Sequence, residues 1–109
     1  MGAKMKKTIT KKKGVSQRYV IVRGDRSGVF AGTVESMEGR EVVLTRARRI
    51  YYWAGAASLS QLAEYGTSKP LECKFPPPVG RVKIFDTIEM LDVTQVARKS
   101  IESVKEWRA

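Results

Sequence analysis

The sequence contains no histidine, a single cysteine at Cys73, and no apolar run near the roughly 20 residues that a bilayer crossing needs. Each absence excludes a class of function. Without histidine, the usual general base near neutral pH and the commonest transition-metal ligand are both missing. One thiol cannot form an internal disulfide, and with no imidazole to activate it Cys73 is expected as a packed or half-exposed thiol rather than a nucleophile. Asp86, Glu89 and Asp92 lie close together, yet strand alternation would separate Glu89 from the other two and no partner base accompanies them. The glycine-containing run "GDRSGVFAG" lacks the lysine and the spacing of a phosphate-cradling loop. A non-enzymatic protein with no metal site and no cofactor is therefore expected. The basic start is not followed by a hydrophobic stretch, so it does not read as a secretory signal and cytosolic residence is the default.

Acidic residues are also scarce relative to basic ones: 11 against 21, a net charge of +10. Six of the lysines, Lys4, Lys6, Lys7, Lys11, Lys12 and Lys13, precede the first apolar run. Removing them leaves fifteen basic residues against eleven acidic ones, so most of the excess belongs to an arm. Lys6, Lys7, Lys11, Lys12 and Lys13 are the candidates for salt-sensitive attraction to nucleic acid, because each neutralised phosphate releases counterions. Solubility alone is the competing explanation of the arm. Residues 1–17 are read as a basic flexible arm and 18–109 as one α+β domain, the size at which a single modest core is expected.

Within that domain "YVIVR" (Tyr19 to Arg23) is a β-branched strand closed by the turn residues of "GDRSG". "VFAGTVE" and "EVVLT" flank "SMEG", where Gly39 can take the positive φ of a tight reversal, so a hairpin is expected. Gly32 marks a bulge or a place where another backbone comes close. Ser58 with Gln61 has the spacing of a capping box, Leu59, Leu62 and Ala63 share a face, and Gly66 is a natural stop, which predicts a short helix. Residues 66–80, with prolines at 76, 77 and 78, read as connector. Residues 81–92 alternate as one long strand or two broken near Asp86 and Thr87. Val93, Ala97, Ile101 and Val104 then align on one face of an amphipathic helix capped by Asp92 or Thr94, with Trp107 expected to anchor its end against the sheet and Lys105 and Arg108 to complement its dipole. The fold class is α+β: an antiparallel twisted sheet, or small barrel, of four to five strands with a short internal helix and a C-terminal amphipathic helix.

The most pronounced local cluster is "RARRIYYWAGAASLSQLA". If residues 46–53 continue as a fourth strand, Arg46, Arg48, Ile50 and Tyr52 share one face and Arg49, Tyr51 and Trp53 the other. Arginine beside aromatic rings suits phosphate capture with base stacking. The same pattern also fits rings in the core with a solvated arginine rim, or a protein interface, where tyrosine, tryptophan and arginine are enriched. Arg46, Arg48, Arg49, Tyr51, Tyr52 and Trp53 are accordingly the candidate site, with the N-terminus of the following helix close by.

This segment, the preceding "GVFAGTVESMEGREVVL" and the closing "KSIESVKEW" resemble a family of short, uncharacterised proteins of tailed bacteriophages and prophages. The resemblance spans about residues 18 to 107 and implies a phage accessory protein in the cytoplasm of an infected bacterial host. It supplies no catalytic residues. The leading expectation is a binding module for nucleic acid or a nucleotide. The alternatives are a protein that inhibits a host or anti-phage defence protein, and a homo-oligomeric assembly protein. No membrane partner is expected.

Overall fold

A computed structural model describes residues 18–109. The basic arm expected over 1–17, including Lys6, Lys7, Lys11, Lys12 and Lys13, lies outside the described residues. Five strands, β1 (Tyr19–Gly24), β2 (Val29–Glu38), β3 (Glu41–Arg49), β4 (Val79–Ile84) and β5 (Thr87–Asp92), are joined by two helices, α1 (Leu59–Tyr65) and α2 (Gln95–Ser103). They form one antiparallel sheet in the order β4-β3-β2-β1-β5. The α+β expectation holds, with a five-stranded sheet that does not close into a barrel.

Irregularities in register curl this sheet, two between β2 and β3 and one between β1 and β5 at Ile88. Between the Thr33–Thr45 and Ala31–Arg48 pairs, Gly32 alone on β2 opposes both Arg46 and Ala47 on β3. Arg46 carries the extra residue's geometry, with a φ of 51°, a left-handed conformation that a non-glycine residue adopts only where its surroundings hold it. Gly32 admits the bulge because a Cβ there would come within 3.1 Å of both the Ala47 Cα and the Thr45 carbonyl oxygen. A second irregularity on β2, between Val34 and Ser36, leaves Glu35 as the extra residue. The curl brings opposite edges together: β4 and β5 border the sheet on different sides, yet only Phe85 and Asp86 connect them.

Asp86 fastens this corner. Its carboxylate accepts the Arg26 and Ser27 backbone N–H groups at 2.7 and 3.1 Å and the Ser27 hydroxyl at 2.7 Å, which ties the β4–β5 turn to the β1–β2 turn. The Ser27 hydroxyl, and after it the Arg26 N–H, holds the Asp86 carboxyl below the usual carboxylate range.

The curled sheet is buried on both faces. Its concave side packs Val20, Val22, Phe30, Val34, Val42, Leu44, Ala47 and Ile84. The other side packs Tyr19, Ile21 and Ala31 against Leu62 and Ala63 of α1, Ile101 of α2, and the connector residues Cys73 and Phe75. Strand β1 contributes alternate residues to the two cores, which is why it reads as a continuous apolar run.

Both helices carry their expected caps. The Ser58 hydroxyl accepts from the Gln61 N–H, and Gly66 ends α1 with a φ of 80°. The reciprocal bond shifts by one residue, since the Gln61 side chain accepts from Ala57 rather than Ser58. Thr94 caps α2 and also donates to the Glu64 carbonyl, joining the two helices. Among the described residues no helix is long and apolar enough to cross a membrane.

Residues 46–53 do not form a separate fourth strand. Residues 46–49 extend β3 beyond the bulge, and only Tyr52 pairs further on, as an isolated bridge to Lys74. At the strand's end Ile50 is buried in the helix-side core and its N–H donates to the Val29 carbonyl.

Candidate functional site

The three arginines divide between the two sides of the sheet, Arg46 and Arg48 on the helix side and Arg49 on the other. Arg48, 5% exposed, points into the helix side of the sheet. Its Nη1 donates to the carbonyls of Ile101 and Val104 at 3.2 and 2.6 Å, and its Nη2 to those of Phe75 and Pro76 at 2.8 and 3.4 Å. The guanidinium thus satisfies the last carbonyls of α2, a task expected of Lys105 and Arg108. Burial lowers its pKa, opposed chiefly by the Glu106 carboxylate.

Arg49 leaves in another direction. It lies over the Phe30 ring, 4.4 Å from the centroid, and donates to the Ser27 carbonyl at 2.8 Å, covering the rim of the concave core. Arg46 is exposed and borders a cleft on the helix side. The single arginine platform expected from the sequence is therefore not assembled: one guanidinium is structural, one is a rim cap, and one faces a cleft.

The aromatic residues divide as well. Trp53 is half-buried against the helix-side core, with its Nε1 donating to the Ala56 carbonyl at 3.2 Å. Tyr51 and Tyr52 are exposed. Tyr51 stacks on Trp107 with ring centroids 5.1 Å apart and planes 11° from parallel, although the two residues are 64% and 44% exposed. The Lys74 ammonium lies 5.8 Å from the Tyr52 ring and 5.6 Å from that of Trp107. Backbone pairing sets this group: Tyr52 and Lys74 exchange hydrogen bonds, and the Trp107 N–H donates to Phe75. Trp107 thus joins a surface stack beyond the end of α2 at Ser103 instead of anchoring that end against the sheet.

Glu106, the neighbour of Trp107, borders the Arg46 cleft, which has a volume of about 280 Å³. Tyr19 and Arg48 form its floor and Glu102 another wall. Burial, followed by the Glu102 carboxylate, pushes the Tyr19 phenol up to about 12, so it is a neutral O–H at physiological pH. Both glutamates are engaged, Glu102 with Arg98 at 3.1 Å and Glu106 with Arg108 at 2.6 Å. Tyr19, Lys74, Glu102, Glu106 and Trp107 escaped the sequence reading because nothing local links them to residues 46–53. The adjacency of an apolar Tyr19 position to "VIV" pointed only to core.

Among the described residues no three histidine, cysteine, aspartate or glutamate side chains gather to hold a metal ion. Cys73 is a free, buried thiol.

Residues 17–101 match the family described as a domain of unknown function, DUF6948. The chain belongs to the DUF6948 family. None of the curated proteins and none of the solved structures compared with it matches. The matched residues take in the concave core, the helix-side core apart from Val104, and the arginine cluster, while the Trp107 half of the stack lies beyond them.

Proposed function

We propose that this DUF6948 protein is a non-enzymatic module that binds single-stranded nucleic acid or a nucleotide on the Tyr51–Trp107 face. The observation that carries the reading is a pre-stacked aromatic pair left open to solvent beside a lysine ammonium. A ring pair already held by backbone pairing loses little freedom when a base stacks on it, and stacking tolerates any base. Among the described residues neither Lys74 nor Arg46 forms an ion pair, so both cations remain for phosphate. The lysine-rich sequence of residues 1–13 adds salt-dependent attraction in this reading. Action as a phage accessory protein in the cytoplasm of an infected host belongs to the same proposal and rests on the resemblance of the arginine-aromatic segment.

The test is fluorescence anisotropy of a labelled oligothymidylate with the full chain. Uptake should weaken steeply with salt, and Tyr51→Ala or Trp107→Ala should each weaken it by roughly tenfold or more. A nucleotide ligand predicts instead saturable binding of mononucleotides that survives deletion of residues 1–13. Absence of both, at about 50 mM salt where phosphate contacts are strong, overturns the proposal. Retention of a protein from nuclease-treated bacterial lysate, lost on Tyr51→Ala, would favour the inhibitor reading.

A further inference from the structure

Strand β4 is the open edge of the sheet. It pairs with β3 alone, and among the described residues no hydrogen bond reaches the backbone of Val79–Ile84 from any other segment. The opposite edge differs: the Thr87 N–H of β5 donates to the Arg40 carbonyl, and the Thr87 carbonyl accepts from the Arg40 Nε. Only Ile84 of the β4 residues is buried, and Val79 is 50% exposed. Unpaired N–H and C=O groups along an exposed edge are a template for another strand. The charged side chains of β4 do not guard it, because Arg81 and Lys83 lean across the sheet to Glu35 and Glu41.

Two depressions run along the concave flank of this edge. The larger, about 480 Å³, lies between Val82, Ile84 and Phe85 on one side and Arg26, Phe30 and Arg49 on the other. The smaller, about 160 Å³, continues past Val82 to Val79, Pro76 and Pro77. They share Phe30, Arg49 and Val82, so they form one groove. Phe85 is 65% exposed beside it, an apolar ring that folding leaves in water.

Charge selects the occupant. Arg49 reaches the β1–β2 turn through the Ser27 carbonyl, next to Arg26, and neither arginine forms an ion pair among the described residues. The carboxylate in the groove, Asp86, already accepts two backbone N–H groups and the Ser27 hydroxyl. Even with Lys83 neutralised by Glu41, the two arginines outnumber it. A second copy of this chain, or the lysine-rich sequence of residues 1–13, would bring like charge to the same rim.

We infer that the free edge of β4 takes an extended acidic segment of a partner protein as a sixth strand of the sheet. The segment's backbone pairs with β4, its alternate apolar side chains lie in the groove against Val79, Val82 and Phe85, and flanking carboxylates meet Arg26 and Arg49. Main-chain hydrogen bonds supply the affinity, and the two depressions select the side chains. This surface stands independently of the Tyr51–Trp107 reading.

A fluorescein-labelled peptide tests the inference, with three leucines and two threonines in alternation and two glutamates at each end. Saturable uptake by the full chain, with a Kd below about 1 mM, is expected in fluorescence anisotropy, and uptake of the counterpart with lysines at its ends should be roughly tenfold weaker. Phe85→Ala should weaken uptake roughly tenfold and Arg26→Gln by roughly threefold or more. Both residues are exposed, so the fold remains intact. Peptide binding should slow hydrogen exchange at the amides of residues 79–84, the signature of main-chain pairing.

No saturable uptake of the acidic peptide overturns the inference, as does equal uptake of the lysine counterpart or slowed exchange confined to segments other than β4. Sedimentation showing a dimer of the free chain that Phe85→Ala disperses also overturns it, since a second copy would then occupy the edge. If Phe85→Ala loses the peptide but keeps oligothymidylate, the two surfaces are separate. If the peptide binds and oligothymidylate does not, the edge stands and the stacking face falls.

Discussion

The two faces of the sheet are built from the same strands and differ in kind. The concave face is aliphatic apart from Phe30 and contains no buried charge, while the helix face encloses Arg48, the Tyr19 phenol and the Cys73 thiol among its apolar side chains. The concave core is made by strands whose backbone polar groups pair along the ladder, so its side chains have only volume to fill. The helix face joins a helix end, a proline-rich connector and the segment after β3, whose backbone pairs only in isolated bridges and turns. Arg48 donates to four carbonyls there at once. Polar chemistry accumulates on the face where irregular backbone must be accommodated.

The sharpest way to break this comparison is Arg48→Ala. It strands the Val104 carbonyl in a buried setting and takes the second donor from those of Ile101 and Phe75, which keep the Val104 and Trp107 N–H groups, and a loss of about 4 kcal/mol is expected in urea unfolding once the vacated volume is added. Leu44→Ala on the concave face removes only packing and should cost about 3 kcal/mol. A larger loss from Leu44→Ala than from Arg48→Ala would invert the assignment of the two faces. Gly32→Ala presses a methyl against the Ala47 and Thr45 backbone and should cost about 1–3 kcal/mol by thermal unfolding, with an altered near-UV circular dichroism spectrum if the bulge moves.

Smaller effects sharpen the contrast between neighbouring arginines. Arg49→Ala loses a contact with the Phe30 ring and one exposed hydrogen bond, so a change of about 1 kcal/mol in the same urea assay is expected, well below that of Arg48→Ala. The smallest effect concerns pH. Because the folded-state pKa of Asp86 is lowered, its stabilisation is complete above the ordinary carboxylate value near 4 and disappears as pH falls through the lowered folded value. Asp86→Asn should flatten the acid limb of the urea midpoint plotted against pH, and an unchanged limb would show that the corner does not depend on the carboxylate.

Local chemistry was legible wherever one residue type decides a local geometry. The Ser58 and Thr94 caps, the Gly66 stop, the positive φ at Gly39 and the break between β4 and β5 near Asp86 all appear as read. Gly32 was correctly marked as a bulge position, but its partner was not. Alternation counted through residues 46–53 held for Arg46, Arg48 and Ile50 on the helix side and Arg49 on the other, and it failed at Trp53, which packs on the helix side after β3 has ended. The arginine and aromatic types were visible, whereas their neighbours were not: Trp107 reaches Tyr51, and Arg48 reaches Phe75 and Val104, across separations no local pattern encodes.

By itself the sequence determined the α+β class, the caps that start both helices, the Gly66 stop, the hairpin turns and the unequal charge, because each follows from side-chain type, spacing of two or 3.6 residues, or backbone freedom at glycine, whereas the second helix stops at Ser103, short of the end near Trp107 that the sequence suggested. Only the tertiary structure decided which arginine is structural, which caps a rim and which faces a cleft. That choice depends on where unpaired carbonyls and buried donors converge when β3, the connector and α2 meet, and such convergence is a property of distances between segments remote in the chain.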